Sequence, residues 1–446
     1  MKKTPREISL DIVGRVLNRG AFSNVLLART LEDPSLKPEQ KRRINALTLG
    51  TLRNCILLER LLDESAERKW KVRPVVRTAG LLGAFEILFF KSVPDYAAVN
   101  EYVEIALARS SRREASFLNA CLRRVAKIDL DDYLLSIQDP VERLALETSH
   151  PSWMAMLIFK RYGQENAAAI LRASCTPLPF YLRANSISTN TRQIIKSLKK
   201  KGLGATAPGS PPECIAVAAG DGKFPSAEYE KGLVTPQDRS TQFVPHFLSL
   251  EPGDEVLDLC CGSGMKSTHI AEIQGDAGLV AAVDISSVKI QSLKKQARRL
   301  GITSIRPSAA DLLERPSLGS FNKVLLDVPC TGTGAARRRP EIKRRIRPDD
   351  VKELCELQSK LLNASAEYVR KGGLLLYSTC SLLPEENEEV IARFAKNKPQ
   401  FKVRPPVNFI SSSGQPPFID RGEGIVIAPH EIDACGVFIA TLERSK

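Results

Sequence analysis

Two cysteines fifty residues apart, Cys330 and Cys380, are the side chains in this sequence best suited to covalent chemistry. Cys330 lies in KVLLDVPCTGTG (Lys323–Gly334), an apolar run that stops at Asp327 and Pro329 and enters a glycine-rich turn. Cys380 lies in LLLYSTCS (Leu374–Ser381), which ends in the same manner. Open α/β sheets place their ligands at such carboxyl ends of strands. Either cysteine alone reads as a small buried hydrophobe. Two of them, each at a strand mouth beside Ser/Thr and Pro/Gly turns, read as one joint site. The chemistry this suits is methylation of a pyrimidine. Cytosine is a weak nucleophile at carbon 5. A thiolate added at carbon 6 makes an enamine that can attack a sulfonium methyl, and loss of the carbon-5 proton then expels the sulfur. Cys380 is the candidate nucleophile and Cys330 the candidate aid to release. Asp327, three residues before Cys330, is the candidate partner for a ring nitrogen. The reverse assignment, with Cys330 attacking, stays open at this point.

A methyl donor needs its own cradle. Asp258-x-x-x-Gly262-x-Gly264 reads as a strand-to-helix turn whose glycines let a ligand approach the backbone. A P-loop requires glycine immediately before Lys266, where Met265 stands, and Cys260 occupies the place of its first glycine. A dinucleotide fingerprint requires a third glycine where Ser267 stands. Both fail. The remaining pattern resembles the S-adenosylmethionine turn of class I methyltransferases. Asp284, at the next predicted strand end, is expected to accept hydrogen bonds from ribose hydroxyls. Asp311, at the third, is expected near the adenine, with a helix N-cap as the alternative.

These sites need a parallel sheet to carry them. From about residue 233 strands and helices alternate. A helix is expected at Val351–Arg370, between the two cysteine strands, and a last strand at Gly436–Glu443. PEENEEV (Pro384–Val390) reads as a helix start with proline and acids in its first turn, without a catalytic role. Residues 146–232 form a smaller mixed segment. It holds a strand (FYLRANSIS), an amphipathic helix closed by Gly202 and a turn (GSPPE). Arg183, Lys196, Lys199, Lys200 and Lys201 are expected to be exposed, either beside an RNA channel or as a solvated face. Residues 1–145 read as all-helical. Ile8, Ile12 and Val16 share one face, Leu47 through Leu61 mark a long helix, Pro74 fits a first turn and Pro94 a break. Residues 129–150 read as a linker helix.

At 446 residues the chain exceeds one core, so two or three domains are expected. No apolar run reaches about 18 residues, so no membrane span is expected. Ten scattered cysteines without a CxxC pair or a secretion signal point to a reducing cytoplasm. Four scattered histidines argue against a metal site. The net charge is +14, and residues 1–128 hold 24 Lys/Arg against 14 Asp/Glu, while the rest hold 41 against 37. A basic front on a nearly balanced body suggests a polyanionic partner, most simply nucleic acid. RRRPEIKRRIR (Arg337–Arg347) is expected to grip RNA phosphates, with a solvated loop as the alternative.

VPDYAAVNEYVEIA (Val93–Ala106) and ASFLNACLRRV (Ala115–Val125) resemble the NusB-type RNA-binding helical domain. Asn100, Glu101 and Asn119 in them are expected to be caps or buried polar contacts. With VLLDVPCTGTG and YSTCSLLPEENEEVI added, the chain resembles the ribosomal RNA cytosine-5 methyltransferase B family over almost its whole length. The resemblance implies a multidomain protein: an all-α NusB-like domain (1–145), a small α+β linker domain (146–232) and an α/β class I, Rossmann-like methyltransferase domain (233–446). It implies Cys380 as nucleophile, Cys330 in product release, and S-adenosyl-L-methionine as cofactor. The cofactor would lie on Cys260, Cys261, Gly262, Ser263, Gly264, Met265 and Lys266, with Asp284, Asp311 and Asp327. It also implies small-subunit (16S) ribosomal RNA as partner and a monomer. Where the family carries Ala-Ala-Pro-Gly-Gly-Lys, this chain keeps Lys266 but loses the proline and shifts its glycines. A transfer-RNA cytosine-5 methyltransferase and a non-catalytic RNA-binding assembly factor are the alternatives. An adenine-N6 enzyme is disfavoured, because Val328-Pro329-Cys330 follows Asp327 where Pro-Pro-aromatic would be needed.

Overall fold

Among the described residues, ten helices succeed one another before the first strand. They are α1 (Pro5–Arg19), α2 (Ser23–Leu31), α3 (Pro38–Arg53), α4 (Cys55–Glu64), α5 (Pro74–Phe89), α6 (Asp95–Arg109), α7 (Arg112–Val125), α8 (Leu130–Leu135), α9 (Pro140–Glu147) and α10 (Ser152–Ala173). The computed structural model describes residues 3–67, 69–218, 224–405 and 418–445. The chain up to Pro177, together with Ala336–Arg345, makes one compact unit. Leu10, Val13 and Val16 of α1 meet Ile44, Leu47, Leu82, Leu118 and Leu122 in its core, as the 3.6-residue spacing requires. A capping box between Thr4 and Glu7 starts α1, and Pro74 opens α5.

The long helix expected across Leu47–Leu61 is two helices, α3 and α4. The Ser149 hydroxyl accepts the Ile56 and Leu57 N–H groups (2.8 and 3.3 Å), which satisfies donors at the new helix start. The expected linker helix over 129–150 is likewise two short helices, α8 and α9. Asn100 and Glu101 are exposed within α6, not caps, and Glu101 pairs with Arg6 at 3.1 Å.

The basic segment Arg337–Arg347 departs most from expectation. Arg337 is 4% exposed and donates to the carbonyls of Thr176 and Pro177 (3.2 and 2.7 Å). Lys343 is 2% exposed and donates to the carbonyls of Thr148 and Arg53 (2.9 and 3.4 Å). Arg345 donates to the Val16 and Ala21 carbonyls. Glu341 accepts the Ser23 N–H and hydroxyl (3.1 and 2.7 Å). These carbonyls lie at or just beyond the ends of α1, α3, α9 and α10, where unpaired C=O groups and the helix dipole favour cations. Three of the seven charges therefore serve the fold, while Arg339, Arg344 and Arg347 stay exposed.

The second compact unit runs from Leu178 onward, without Ala336–Arg345. It begins with a small antiparallel sheet of order β2-β3-β1-β4, from β1 (Phe180–Ala184), β2 (Ala205–Thr206), β3 (Cys214–Val217) and β4 (Val234–Pro236). Ile194 and Leu198 of α11 (Thr191–Lys200) pack on Leu182, Ile215 and Val217. Lys196, Lys199 and Lys200 are exposed, as expected. Arg183 is not. It is fully buried, and its guanidinium is bidentate on Glu272 (2.7 and 2.8 Å) and donates to the Met265 carbonyl (2.8 Å). An arginine so enclosed needs such complete pairing. Two short helices, α12 (Ser226–Glu230) and α13 (Arg239–Phe243), flank β4.

The larger sheet has the order β11-β12-β13-β9-β8-β5-β6-β7, with β10 beside β13. Strands β5 (Glu255–Leu259), β6 (Leu279–Asp284), β7 (Ile305–Ala309), β8 (Phe321–Asp327) and β9 (Val369–Thr379) are parallel. Antiparallel pairing adds β10 (Phe401–Val403), β11 (Ile419–Asp420), β12 (Ile425–Ile427) and β13 (Val437–Arg444). Helices α14 (Met265–Ile273), α15 (Ser287–Leu300), α16 (Ile342–Arg345), α17 (Pro348–Ser365) and α18 (Glu388–Asn397) fall between and after the parallel strands. Of these, α16 belongs to the first unit. Helix α17 stops at Ser365 rather than Arg370 because β9 already begins at Val369. From β5 the chain builds outward through β6 and β7, then returns to place β8 on the other side of β5. The carboxyl ends of β5 and β8 therefore form the topological switch point, where such sheets bind ligands.

Candidate active site

Strands β8 and β9 pair in register, Asp327 opposite Ser378, so the turns that follow them leave the sheet side by side. This closes the fifty-residue gap in sequence. The Cys330 and Cys380 sulfurs lie 3.1 Å apart, and the Cys380 N–H points at the Cys330 sulfur (3.3 Å). Asp327 accepts the Ser378 hydroxyl (2.6 Å) on one oxygen and the Lys266 ammonium on the other. Burial by itself would lower the Lys266 pKa, but Asp327, then Asp258 and Cys380, outweigh it and keep the ammonium charged. The Cys330 thiol is pushed well up, first by its hydrogen bond with Cys380, then by burial and by the Glu386 and Asp327 carboxylates. All of these causes favour the protonated form of Cys330.

Both cysteine turns are held by a residue to which sequence reading assigned no role. Glu386 is fully buried in a 3-10 turn, Pro384–Glu386, that precedes α18. One of its oxygens accepts the Thr331 N–H (2.8 Å) and the Gln358 amide (2.9 Å). The other accepts the Thr331 and Ser381 hydroxyls. Thr331 follows Cys330 and Ser381 follows Cys380, so one carboxylate ties the two turns together. Asn387 adds to it, accepting the Thr379 hydroxyl (2.6 Å) and donating to the Ser381 carbonyl (3.0 Å). In sequence, Glu386 is one acid among four, all readable as helix-start charges.

The cofactor turn is set by its backbone. Cys260 has φ +58° and Gly264 φ +82°. A Cβ on Gly264 would meet Leu293 Cδ1 at 2.0 Å, so glycine is required there twice over. Nothing lies within 4 Å of where a Gly262 Cβ would stand, which leaves an open approach to the backbone. The Gly262 N–H donates to Asp284 (2.9 Å), and the Ser286 N–H donates to the other oxygen of that carboxylate (2.8 Å). Each oxygen retains a lone pair for a ribose hydroxyl. Beyond Asp284, Ile285 and Val288 stand 69% and 75% exposed, and Leu313 is 40% exposed after β7. Exposed apolar side chains at two adjacent strand ends suit an adenine face. The sequence held that signal in the apolar residues after each strand-end aspartate, and it went unread. These residues fit S-adenosylmethionine.

Asp311 caps the short turn Leu312–Glu314 through the Leu313 N–H (2.9 Å), which is the N-cap alternative. Asp258 points inward, fully buried, and accepts the Ser267 hydroxyl (2.5 Å). Burial pushes its pKa up to about 7. The Cys260 thiol is pushed up to about 12 by burial and by Asp284, Asp327 and Asp258, and Cys261 is raised as well. Ser263 and Met265 complete the turn, with Met265 opening α14.

The sheet order, the glycine turn at its switch point and the strand-end aspartate define a class I, S-adenosylmethionine-dependent methyltransferase. Three family models cover most of the chain. That of the 16S rRNA methyltransferase RsmB/F matches residues 245–443, the NusB family residues 3–127, and the RsmF/B-like ferredoxin-like domain residues 150–220. The chain belongs to the 16S rRNA methyltransferase RsmB/F family, and it is an RNA methyltransferase. It is 32% identical over 448 residues to the probable ribosomal RNA small subunit methyltransferase B of Bacillus subtilis, covering 100% of both chains. It is 30% identical over 395 residues to the ribosomal RNA small subunit methyltransferase B of Proteus mirabilis, covering 87% of this chain and 90% of that one. The crystal structure of PH0851 shares the fold over 100% of both chains, with TM-score 0.82 at 23% identity. No helix among the described residues is long and apolar enough to cross a membrane.

Proposed function

We propose that this protein methylates carbon 5 of a cytosine in small-subunit ribosomal RNA through a covalent adduct with Cys380. The observation that carries the reading is the 3.1 Å approach of Cys380 and Cys330 at a mouth shared with Lys266 and Asp327. Cys380 is the attacking sulfur, because the Lys266 ammonium favours its thiolate while Cys330 keeps its proton. The thiolate adds to carbon 6 of the ring. Asp327 bonds the ring edge and stabilises a protonated ring nitrogen as charge develops. S-adenosylmethionine supplies a methyl group on its sulfonium. As solvent takes the carbon-5 proton, the carbon 6–sulfur bond breaks, and the Cys330 thiol, 3.1 Å away, can give its proton to the departing Cys380 sulfur. The turn from Cys260 to Lys266, with Asp284, holds the cofactor. Asp311 is proposed at the adenine edge, where its position after β7 supports it. The chain's basic front supports an RNA partner. None of the ten cysteines is joined in a disulfide, which suits a reducing cytoplasm.

The test is transfer of labelled methyl from S-adenosylmethionine to unmodified 16S RNA and to transfer RNA. The expected result is label on cytosine of the ribosomal RNA, lost in Cys380→Ala. Cys330→Ala should accumulate an RNA adduct that survives denaturation. An adduct in Cys380→Ala instead would reverse the two sulfurs, and label confined to transfer RNA would replace the substrate.

A further inference from the structure

Two of the four histidines, separated by 23 residues of sequence, meet on one carboxylate in the second unit. His246 Nε2 lies 2.8 Å and His269 Nε2 2.5 Å from the same oxygen of Glu213. The side chains are 17%, 1% and 10% exposed for His246, His269 and Glu213. The three ligand atoms lie within 4.8 Å of one another. The two imidazole rings stand 5.5 Å apart between centroids and 82° apart in plane. A zinc ion held about 2.0–2.1 Å from each Nε2 in tetrahedral geometry places the ring centroids roughly 5–6 Å apart. The rings already stand at that spacing, and the carboxylate has to withdraw by less than about 1 Å to admit the ion.

We infer that Glu213, His246 and His269 form a binding site for a divalent transition metal, with zinc the best match. The donor set, two imidazole nitrogens and one carboxylate oxygen, suits zinc over magnesium or calcium, which prefer oxygen throughout. The fourth position would be taken by water through the partly open His246 side. The ligands come from three stretches of chain. Glu213 precedes β3 of the small sheet, His246 lies in the turn Val244–Leu248 before β5, and His269 lies on α14. Helix α14 begins at the cofactor turn and carries Lys266. The ion would therefore clasp the small sheet to the cofactor helix and contribute stability, without entering the reaction. His269 Nδ1 is buried with no hydrogen-bond acceptor among the described residues. Metal-bound histidines usually have such an acceptor, and its loss weakens affinity about 10–100-fold, so a moderate affinity is expected. This inference is independent of the methylation reading.

The experiment uses the full chain, stripped with a chelator and titrated with cobalt(II) as a spectroscopic substitute, then with zinc. One equivalent of cobalt should give the visible ligand-field absorption of a four-coordinate site, displaced by zinc. The unfolding midpoint should rise by several degrees with zinc. His246→Gln, on the more open side, should lower the affinity at least about 100-fold and abolish that rise, since removing a ligand exceeds removing its support. Glu213→Gln gives the same reading should His246→Gln fold poorly. A folded protein that binds no cobalt and shows no shift would overturn the site and leave the triad a hydrogen-bonded strut. Binding retained in both variants, or a cobalt–thiolate charge-transfer band, would overturn it too by placing the metal on cysteines.

Discussion

Cys260 and Cys261 are neighbours in sequence, whereas Cys330 and Cys380 are neighbours only through the register of β8 and β9. Burial, then the carboxylates of Asp258 and Asp284, suppress both thiolates of the first pair, and Asp327 adds to this at Cys260. In the second pair, Cys380 alone has the Lys266 ammonium acting on it, while Cys330 faces Glu386 and Asp327. The two turns are also held differently. Backbone dihedrals, one close helix contact and main-chain N–H groups shape the cofactor turn. Side chains shape the cysteine mouth, with Glu386 at the centre. A turn held by its backbone tolerates a change of letters, so Cys261–Lys266 can depart from the family pattern and still cradle a cofactor. A mouth held by side chains tolerates little.

The largest contrast should come from the cysteines themselves. Cys380→Ser should lower methyl transfer by roughly 10⁴-fold or more, while Cys261→Ser should leave kcat within about threefold. Equal losses, read by label incorporation, would erase the distinction between the pairs. Next in size, Glu386→Ala should destabilise the protein by about 3–5 kcal/mol in denaturant unfolding, because buried donors lose their acceptor. It should also lower kcat by about 100-fold through misplacement of the sulfurs, with the KM for S-adenosylmethionine little changed. A KM effect without a kcat effect would move Glu386 from the cysteine mouth to the cofactor side. Gly264→Ala should cost about 2–4 kcal/mol, part from the left-handed backbone and part from Leu293. Adding Leu293→Ala should relieve the approaches of Leu293 Cδ1 and Cγ, while the 3.1 Å approach of its Cβ and the backbone strain remain. Full recovery would show that the dihedral angle is not what shapes the turn.

The smallest effect depends on pH. Asp258 titrates near 7 in the folded protein against an ordinary 3.8, so its protonated form is the favoured one. Its contribution is complete below pH 4 and is lost as pH rises through 7. Asp258→Asn should therefore gain about 2–3 kcal/mol on the wild type between pH 5 and pH 8. A constant difference across that range would show that Asp258 is ionised throughout.

The parallel sheet, its strand ends and the two cysteines were legible because apolar runs stopped at Asp, Pro and Gly have few other meanings. Arg183 was misread, because a basic residue on a short strand carries no mark that Glu272 waits on a helix 89 residues later. The segment Arg337–Arg347 was misread for a related reason. A run of charge says what the side chains want, an anion or a carbonyl, but not which one the chain reaches. Glu386 looked like its neighbours Glu385, Glu388 and Glu389; Glu388 is buried too, and only the bonds from Thr331 and Ser381 set Glu386 apart. Glu213, His246 and His269 come from three segments with no common spacing, so the tertiary fold alone assembles them.

The excursion of Ala336–Arg345 into the first unit has a consequence for synthesis. Ser23 finds Glu341, 318 positions further along the chain. At translation speeds of about 5–20 residues per second, the first helices wait roughly 15–60 s for that partner to be made. During that wait the carbonyl-rich helix ends that Arg337, Lys343 and Arg345 later cover face solvent. The first unit is thus finished by a part that arrives late, and a ribosome-stalled or truncated chain ending before residue 336 should expose those ends to proteases that the complete chain resists.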